Sequence, residues 1–322
     1  SHQPSLTRSG NLRPLHRAGD QSRAADLVPW SSTDRFRTAQ RVGVRSSPMT
    51  DSTDAVLIEH HDPGVLVVTF NRPETMNAFS SEMSAAFTTA LRDADTDDSI
   101  RVVVVTGSGR AFCAGADFSK GSGAFATPTK ETFSSDPLDP FHPWECRKPV
   151  IAAINGHAVG IGMTMTLQCD LRIVAEEAKL GIVQNRRGVL PDAHAHWTLP
   201  RLVGHSRATE LLLTGRMFRG ADAAEWGLAT EALPADEVLP RAMALATEIA
   251  TQTAPVSVGV SKRLLWMSAP GPDEINELER DLHLHLMGTV DAREGVQAFM
   301  DKRDPKWSLS ATEDWPTWLD ER

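Results

Sequence analysis

Residues 149–192 constrain this chain more than any other stretch: PVIAAINGHAVGIGMTMTLQCDLRIVAEEAKLGIVQNRRGVLPD. An apolar run over 150–155 reads as a strand. A glycine-rich turn follows, then a helix over 161–167 and a second strand over 171–174. Strand, turn and helix at this spacing belong to an α/β core. A helix that opens directly after such a turn presents unpaired N–H groups and the positive end of its dipole. That combination stabilises a developing oxyanion.

The flanking sequence extends the same pattern. Two apolar segments, 55–60 and 64–70, are separated by His61-Asp62-Pro63-Gly64, whose turn formers predict a hairpin. Ser80 or Ser81 is placed to cap a helix carrying Met83, Phe87, Ala90, Leu91 and Ala94 at helical spacing. The β-branched run 102–106 predicts a strand buried on both faces. GSGRAFCAGADF follows as a second glycine-rich turn. Residues 119–140 are polar, aperiodic and long enough to expect a lid or binding loop. From Ala193 onward the pattern reads as mostly helical.

Composition narrows the function classes. The 322 residues carry a net charge of −9, which gives nucleic acid no electrostatic reason to bind. No apolar run approaches the roughly 18–20 residues of a membrane span. Cys113, Cys146 and Cys169 show no metal-ligand spacing and suit a reducing, cytoplasmic compartment. Residues 1–48 differ from the rest: eight Arg against three Asp, without Lys or Glu, give +5 and leave −14 for the remainder. Met49 starts MTDSTDAVLIEH, like an ordinary protein start. The arm reads as a disordered or non-native extension, with an organelle-targeting peptide as the other possibility.

NRPETMNAF, GRAFCAGADF, PVIAAINGHAVGIGMTM, LTGRMFRGADAAEWGLATEALP and REGVQAFMDKRDPKW occur in order between Val56 and Trp307. On these segments the chain resembles the enoyl-CoA hydratase/isomerase, or crotonase, superfamily. The resemblance implies an α/β fold: a spiral of ββα repeats over 49–255, then a C-terminal helical trimerisation region over 256–322. It implies acyl-CoA thioester substrates, as in fatty acid metabolism, with coenzyme A as part of the substrate and no separate cofactor or metal. It also implies a homo-trimer or dimer of trimers. The thioester enolate would be held by the backbone N–H groups of Ala116 and Ile161. Met76, Ala114, Ala116, Asp117 and Phe118 would line the coenzyme A path, with Ile161 at the thioester. Phe299 and Lys302 would approach the cofactor moiety, the lysine reaching a phosphate of a neighbouring subunit's ligand.

The departures from the family pattern bear on the chemistry. Thr164 and Gln184 occupy the positions of the two glutamates that hold water in enoyl-CoA hydratases. Neither is a general base near neutral pH, which argues against ordinary hydration. Isomerases generally keep an acid at the position of Gln184. Asp192 matches a working carboxylate of dienoyl-CoA isomerases and chlorobenzoyl-CoA dehalogenases. It also follows Pro191 and precedes a helical pattern, so a plain N-cap is the competing reading. His194 and His196 form D-x-H-x-H with Asp192, but i and i+2 on a helix face apart, which argues against chelation. One of them is a candidate second proton carrier, and packing or surface is the other reading. His142 is a poorly spaced candidate for activating water. Arg186 and Arg187 could balance Asp192, His157 is expected in the turn beneath the oxyanion helix, and Trp197 is expected in the core. Three functions remain: an isomerase working through Asp192, a catalytically silent acyl-CoA-binding homologue, and a hydrolase or dehalogenase with Asp192 as nucleophile.

Overall fold

The computed structural model describes residues 55–117, 136–138, 140–267 and 271–320. The arm over 1–48 and Phe118 lie outside these residues, as does most of the expected loop. β1 (Val56–His61) and β2 (Val65–Phe70) form the antiparallel hairpin that the turn residues require. β3 (Val102–Gly107) pairs parallel with β2, and all six of its residues are buried, as a β-branched run between covered faces should be. Between them runs α1 (Ser81–Thr96). Ser80 caps it, its side chain accepting from the Met83 N–H at 3.2 Å, and its five predicted apolar positions are all buried.

From β3 onward the chain deals its strands alternately to two sheets. β4 (Ala111–Cys113) leaves the first sheet, β5 (Val150–Ile154) returns to it, and β6 (His157–Val159) leaves again. After α2 (Ile161–Thr164), which tightens into a 3-10 turn over Met165–Gln168, β7 (Leu171–Ala175) and β8 (Lys179–Gly181) repeat the exchange. β9 (Met217–Arg219) and β10 (Glu231–Leu233) complete the sheets. The larger sheet runs β1-β2-β3-β5-β7-β10 and the smaller β4-β6-β8-β9. Each turn of the spiral thus gives one strand to each layer. β9 and β10 interrupt a region expected to be helical; at three residues each they are too short to imprint a period.

The helices that close the structure are α3 (Ala195–Thr214, interrupted at Gly204), α4 (Gly220–Glu225), α5 (Ala235–Gln252), α6 (Pro255–Trp266), α7 (Pro272–Leu286) and α8 (Val290–Asp301). One apolar cluster extends from Ala55 to Ala250. A smaller one joins Val256, Val260, Leu278, Leu282, Trp315 and Leu319. A buried ion pair anchors α6: Lys262 Nζ lies 2.7 Å from Asp170 Oδ2 and donates to the carbonyls of Pro143 and Lys148. Trp266 Nε1 donates to the other Asp170 oxygen at 2.7 Å. All three cysteines are buried thiols, and burial pushes Cys113 and Cys169 up to about 12. No helix among the described residues is long and apolar enough to cross a membrane.

Candidate active site

The two glycine-rich turns meet. Gly160 has φ 57° and ψ −126°, a conformation closed to residues with a Cβ. A Cβ built there would come within 3.8 Å of the Gly115 Cα, so the turns lie side by side. Each is followed by a residue proposed as an oxyanion donor. Ala116 forms a parallel bridge with Phe79, in which the Gly115 carbonyl and Asp117 N–H bond Phe79. The alternation of a bridged strand therefore turns the Ala116 N–H away from Phe79. Ile161 is the first residue of α2, where the helix supplies its N–H no acceptor.

The NRPETMNAF segment braces this turn, a role the sequence did not disclose. Asn77 is fully buried and left-handed at φ 55°. Its amide donates to the carbonyls of Ser108 and Ala111, and its oxygen accepts from the Arg72 N–H. Met76 accepts from the Ala114 N–H through its carbonyl at 3.0 Å, which puts two expected coenzyme A contacts side by side. Asp117 pairs with Arg72 at 3.0 Å. Phe299 lies on α8 and Lys302 is its C-cap, both exposed, Phe299 by 85%.

Asp192 is a side-chain acceptor, not a helix cap. The N-cap of α3 is His194, and the Asp192 carboxylate turns instead toward Thr164 and Gln184. Thr164 Oγ1 donates to Asp192 Oδ1 at 2.5 Å, and Gln184 Nε2 donates to the same oxygen at 2.9 Å. Burial pushes the carboxyl above its ordinary range, more than these two donors draw it down. Among the described residues the Gln184 Oε1 is buried without a partner. Because the amide presents a donor and an acceptor, rotating it would serve a protonated Asp192 as well as an ionised one.

A second acid lies beside the first. Asp136 Oδ2 receives Gln168 Nε2 at 2.9 Å and His194 Nδ1 at 2.5 Å, and Asp136 Oδ1 receives the Leu138 N–H. His142 Nε2 is 3.1 Å from the same Oδ2, while its Nδ1 meets Glu145 at 2.6 Å. Burial opposes charge on His142, but carboxylates at both nitrogens outweigh it and push the ring up to about 9. Burial would likewise raise Asp136, yet its bonds to His142, Leu138 and Gln168 hold it below the usual carboxylate range. Three atoms of metal-ligand type thus converge within 4.8 Å, at Asp136, His142 and His194. His194 Nδ1 bonds Asp136 while His142 Nε2 faces the same oxygen, so the cluster reads as an acid–base network.

The remaining expectations are settled by position. Asp192 and His194 precede α3 rather than lying on it, so helical spacing does not apply to them. Arg186 bonds the Thr214 carbonyl rather than Asp192. His157 sits in β6, its Nδ1 accepting from the Lys179 N–H. Trp197 is half-buried among Trp144 and Trp266, with Arg201 stacked on it at 4.7 Å.

Residues 60–310 match the model of the enoyl-CoA hydratase/isomerase family. The chain belongs to that family. It is 36% identical to the enoyl-CoA hydratase ACTT3 of Alternaria alternata over 76% of this chain and 83% of that protein. It is 34% identical to the 1,2-epoxyphenylacetyl-CoA isomerase of Escherichia coli, over 78% of this chain and 98% of its relative. A crystal structure of a probable enoyl-CoA hydratase/isomerase from Mycobacterium abscessus superposes with a TM-score of 0.76 at 47% identity, covering 79% and 98% of the two chains. The spiral is the crotonase fold, and this enoyl-CoA hydratase/isomerase family member is an acyl-CoA-processing enzyme.

Proposed function

We propose that the protein moves a double bond within an acyl-CoA thioester, using Asp192 to carry the proton. The thioester carbonyl would sit between the N–H groups of Ala116 and Ile161. Asp192 would remove a proton from carbon, and the resulting enolate oxygen would be held by the two N–H groups. A proton delivered two carbons away would complete the shift. The observation that carries this reading is the half-buried Asp192 carboxylate, raised by desolvation, with two neutral donors, Thr164 and Gln184, on one of its oxygens. That one relative is named an isomerase of a CoA thioester supports it.

Coenzyme A would follow the Met76–Asp117 edge as part of the substrate, with no further cofactor. The exposed apolar row Val296, Phe299 and Met300 on α8 supports a trimer, in which Lys302 of a neighbouring copy reaches the phosphates. The test is Asp192→Asn assayed on a panel of enoyl-CoA isomers. Turnover should fall about 10²–10⁴-fold with acyl-CoA affinity retained. Unchanged turnover would end the proton-transfer role. Tight binding with no turnover by the unaltered enzyme would identify a silent binding protein instead.

A further inference from the structure

We infer that His194, backed by Asp136, is a second proton-transfer group of this site. Asp192 and His194 would then divide the two proton steps between them. The inference rests on the reading of Asp192 above and adds the group that completes it.

The backbone first brings the two side chains together. Ala193 and His194 are consecutive non-glycine residues at φ 50° and 57°. Such positions cost on the order of 1–3 kcal/mol each and persist only where the surroundings enforce them. Gln168 enforces this one, donating to the Ala193 carbonyl at 3.1 Å, and the first turn of α3 closes on the His194 carbonyl. The strained link directs the Asp192 and His194 side chains to successive parts of one helical segment. Asp192 meets Thr164, and the partner of His194, Asp136, meets Gln168. Thr164 ends α2 and Gln168 ends the 3-10 turn that continues it. The two carboxylates therefore flank the segment that begins with the Ile161 N–H.

Hydrogen bonding then fixes the tautomer. Asp136 is held ionised by its donors, so the 2.5 Å contact with His194 requires the proton on Nδ1. That leaves Nε2 with a lone pair when the ring is neutral. The ring stands edge-on to Trp144 and His142, at centroid distances of 5.0 and 5.2 Å, which hold its plane. Its side chain is 44% exposed although Nδ1 is engaged, so solvent reaches the ring. His142 does not fit this task, because Glu145 holds its Nδ1 and its Nε2 is buried, facing Asp136.

The steps balance. Neutral His194 takes a proton from water at Nε2 and becomes an imidazolium beside Asp136. Asp192 removes a proton from the substrate carbon, and that bonding pair passes into the enolate. The enolate pair re-forms the carbonyl and bonds the remote carbon to the Nε2 proton. Asp192 then releases its proton to solvent. One proton enters and one leaves, with no oxidant or further reactant.

The experiment runs the isomerisation in D₂O and measures deuterium at the newly protonated carbon, together with kcat and KM. The unaltered enzyme should introduce about one solvent deuterium per turnover. His194→Asn, which tolerates the left-handed backbone, should lower kcat about 10²–10⁴-fold with KM little changed. Its residual product should retain the substrate's own hydrogen, because Asp192 alone must return it. Asp136→Asn, acting through the ring's position, should lower kcat and shift its pH profile without changing the melting temperature comparably. If His194→Asn matches the unaltered enzyme in rate and deuterium content while Asp192→Asn is inactive, the second group is refuted and Asp192 stands. If Asp192→Asn is fully active, the reading of Asp192 fails by itself. Transfer of the substrate's own hydrogen by the unaltered enzyme would also refute the two-group scheme.

Discussion

Gly160 is where one residue holds two functions. Its backbone conformation is open only to glycine, and it aims the Ile161 N–H beside the Ala116 turn. Gly160→Ala should cost about 1–3 kcal/mol of stability through backbone strain. It should also lower kcat about 10²–10³-fold, the usual effect of losing one oxyanion donor. Denaturant unfolding and steady-state kinetics on the same variant would separate the two losses. A variant with full activity would exclude Ile161 as a donor. The two glycine turns were legible in the sequence because the family motifs carry them. The fate of Thr164 and Gln184 was not: they looked like absences, and the structure makes them donors to Asp192 Oδ1. Asp136 had no signal at all, since it ends a polar stretch without periodicity. Gln168 left only a faint trace, as the residue one turn beyond Thr164.

At the scale of the element, the segment from Asp136 to Glu145 is held by charge. His142 sits between Asp136 and Glu145 with its ring pushed up to about 9. A raised folded-state value means that the native state holds this proton more tightly than the unfolded chain. The stabilisation is therefore complete below about pH 6.5 and is lost as pH rises through about 9. Replacing His142 with Gln should remove that slope. Urea midpoints of the two proteins should differ most below pH 6.5 and converge above pH 9; a constant difference would show that the charge is not what holds the segment. Elements with a full period were readable in advance. α1 presents five apolar positions on one face, and β3 is a run of four valines. Ala193 and His194 were misread as helix because the string has no local mark of two left-handed residues, which tertiary contacts impose.

Across the whole molecule, the C-terminal helices depend on a charge they bring to the spiral. Lys262 is almost fully buried against Asp170, which also accepts from the Val150 N–H and Trp266 Nε1. Lys262→Met would leave Asp170 ionised without its cation, and loss of one partner from such a pair costs about 3–5 kcal/mol. The melting temperature should fall accordingly. A double replacement, Lys262→Met with Asp170→Asn, should recover part of the loss. No recovery would mean that the pair is not coupled. The spiral itself was foreseen through the resemblance, since no local pattern states which strand joins which sheet.

In both sheets, the order of strands in space is their order along the chain. Every strand therefore adds to a free edge, and none must be inserted between two already paired. On a ribosome, β1, β2 and β3 can pair while β10 is still unsynthesised, and each later strand finds its template waiting. Parallel pairing across dozens of residues is otherwise slow and exposes unpaired edges to aggregation. Growth at one edge of each sheet confines that hazard to the strand most recently added.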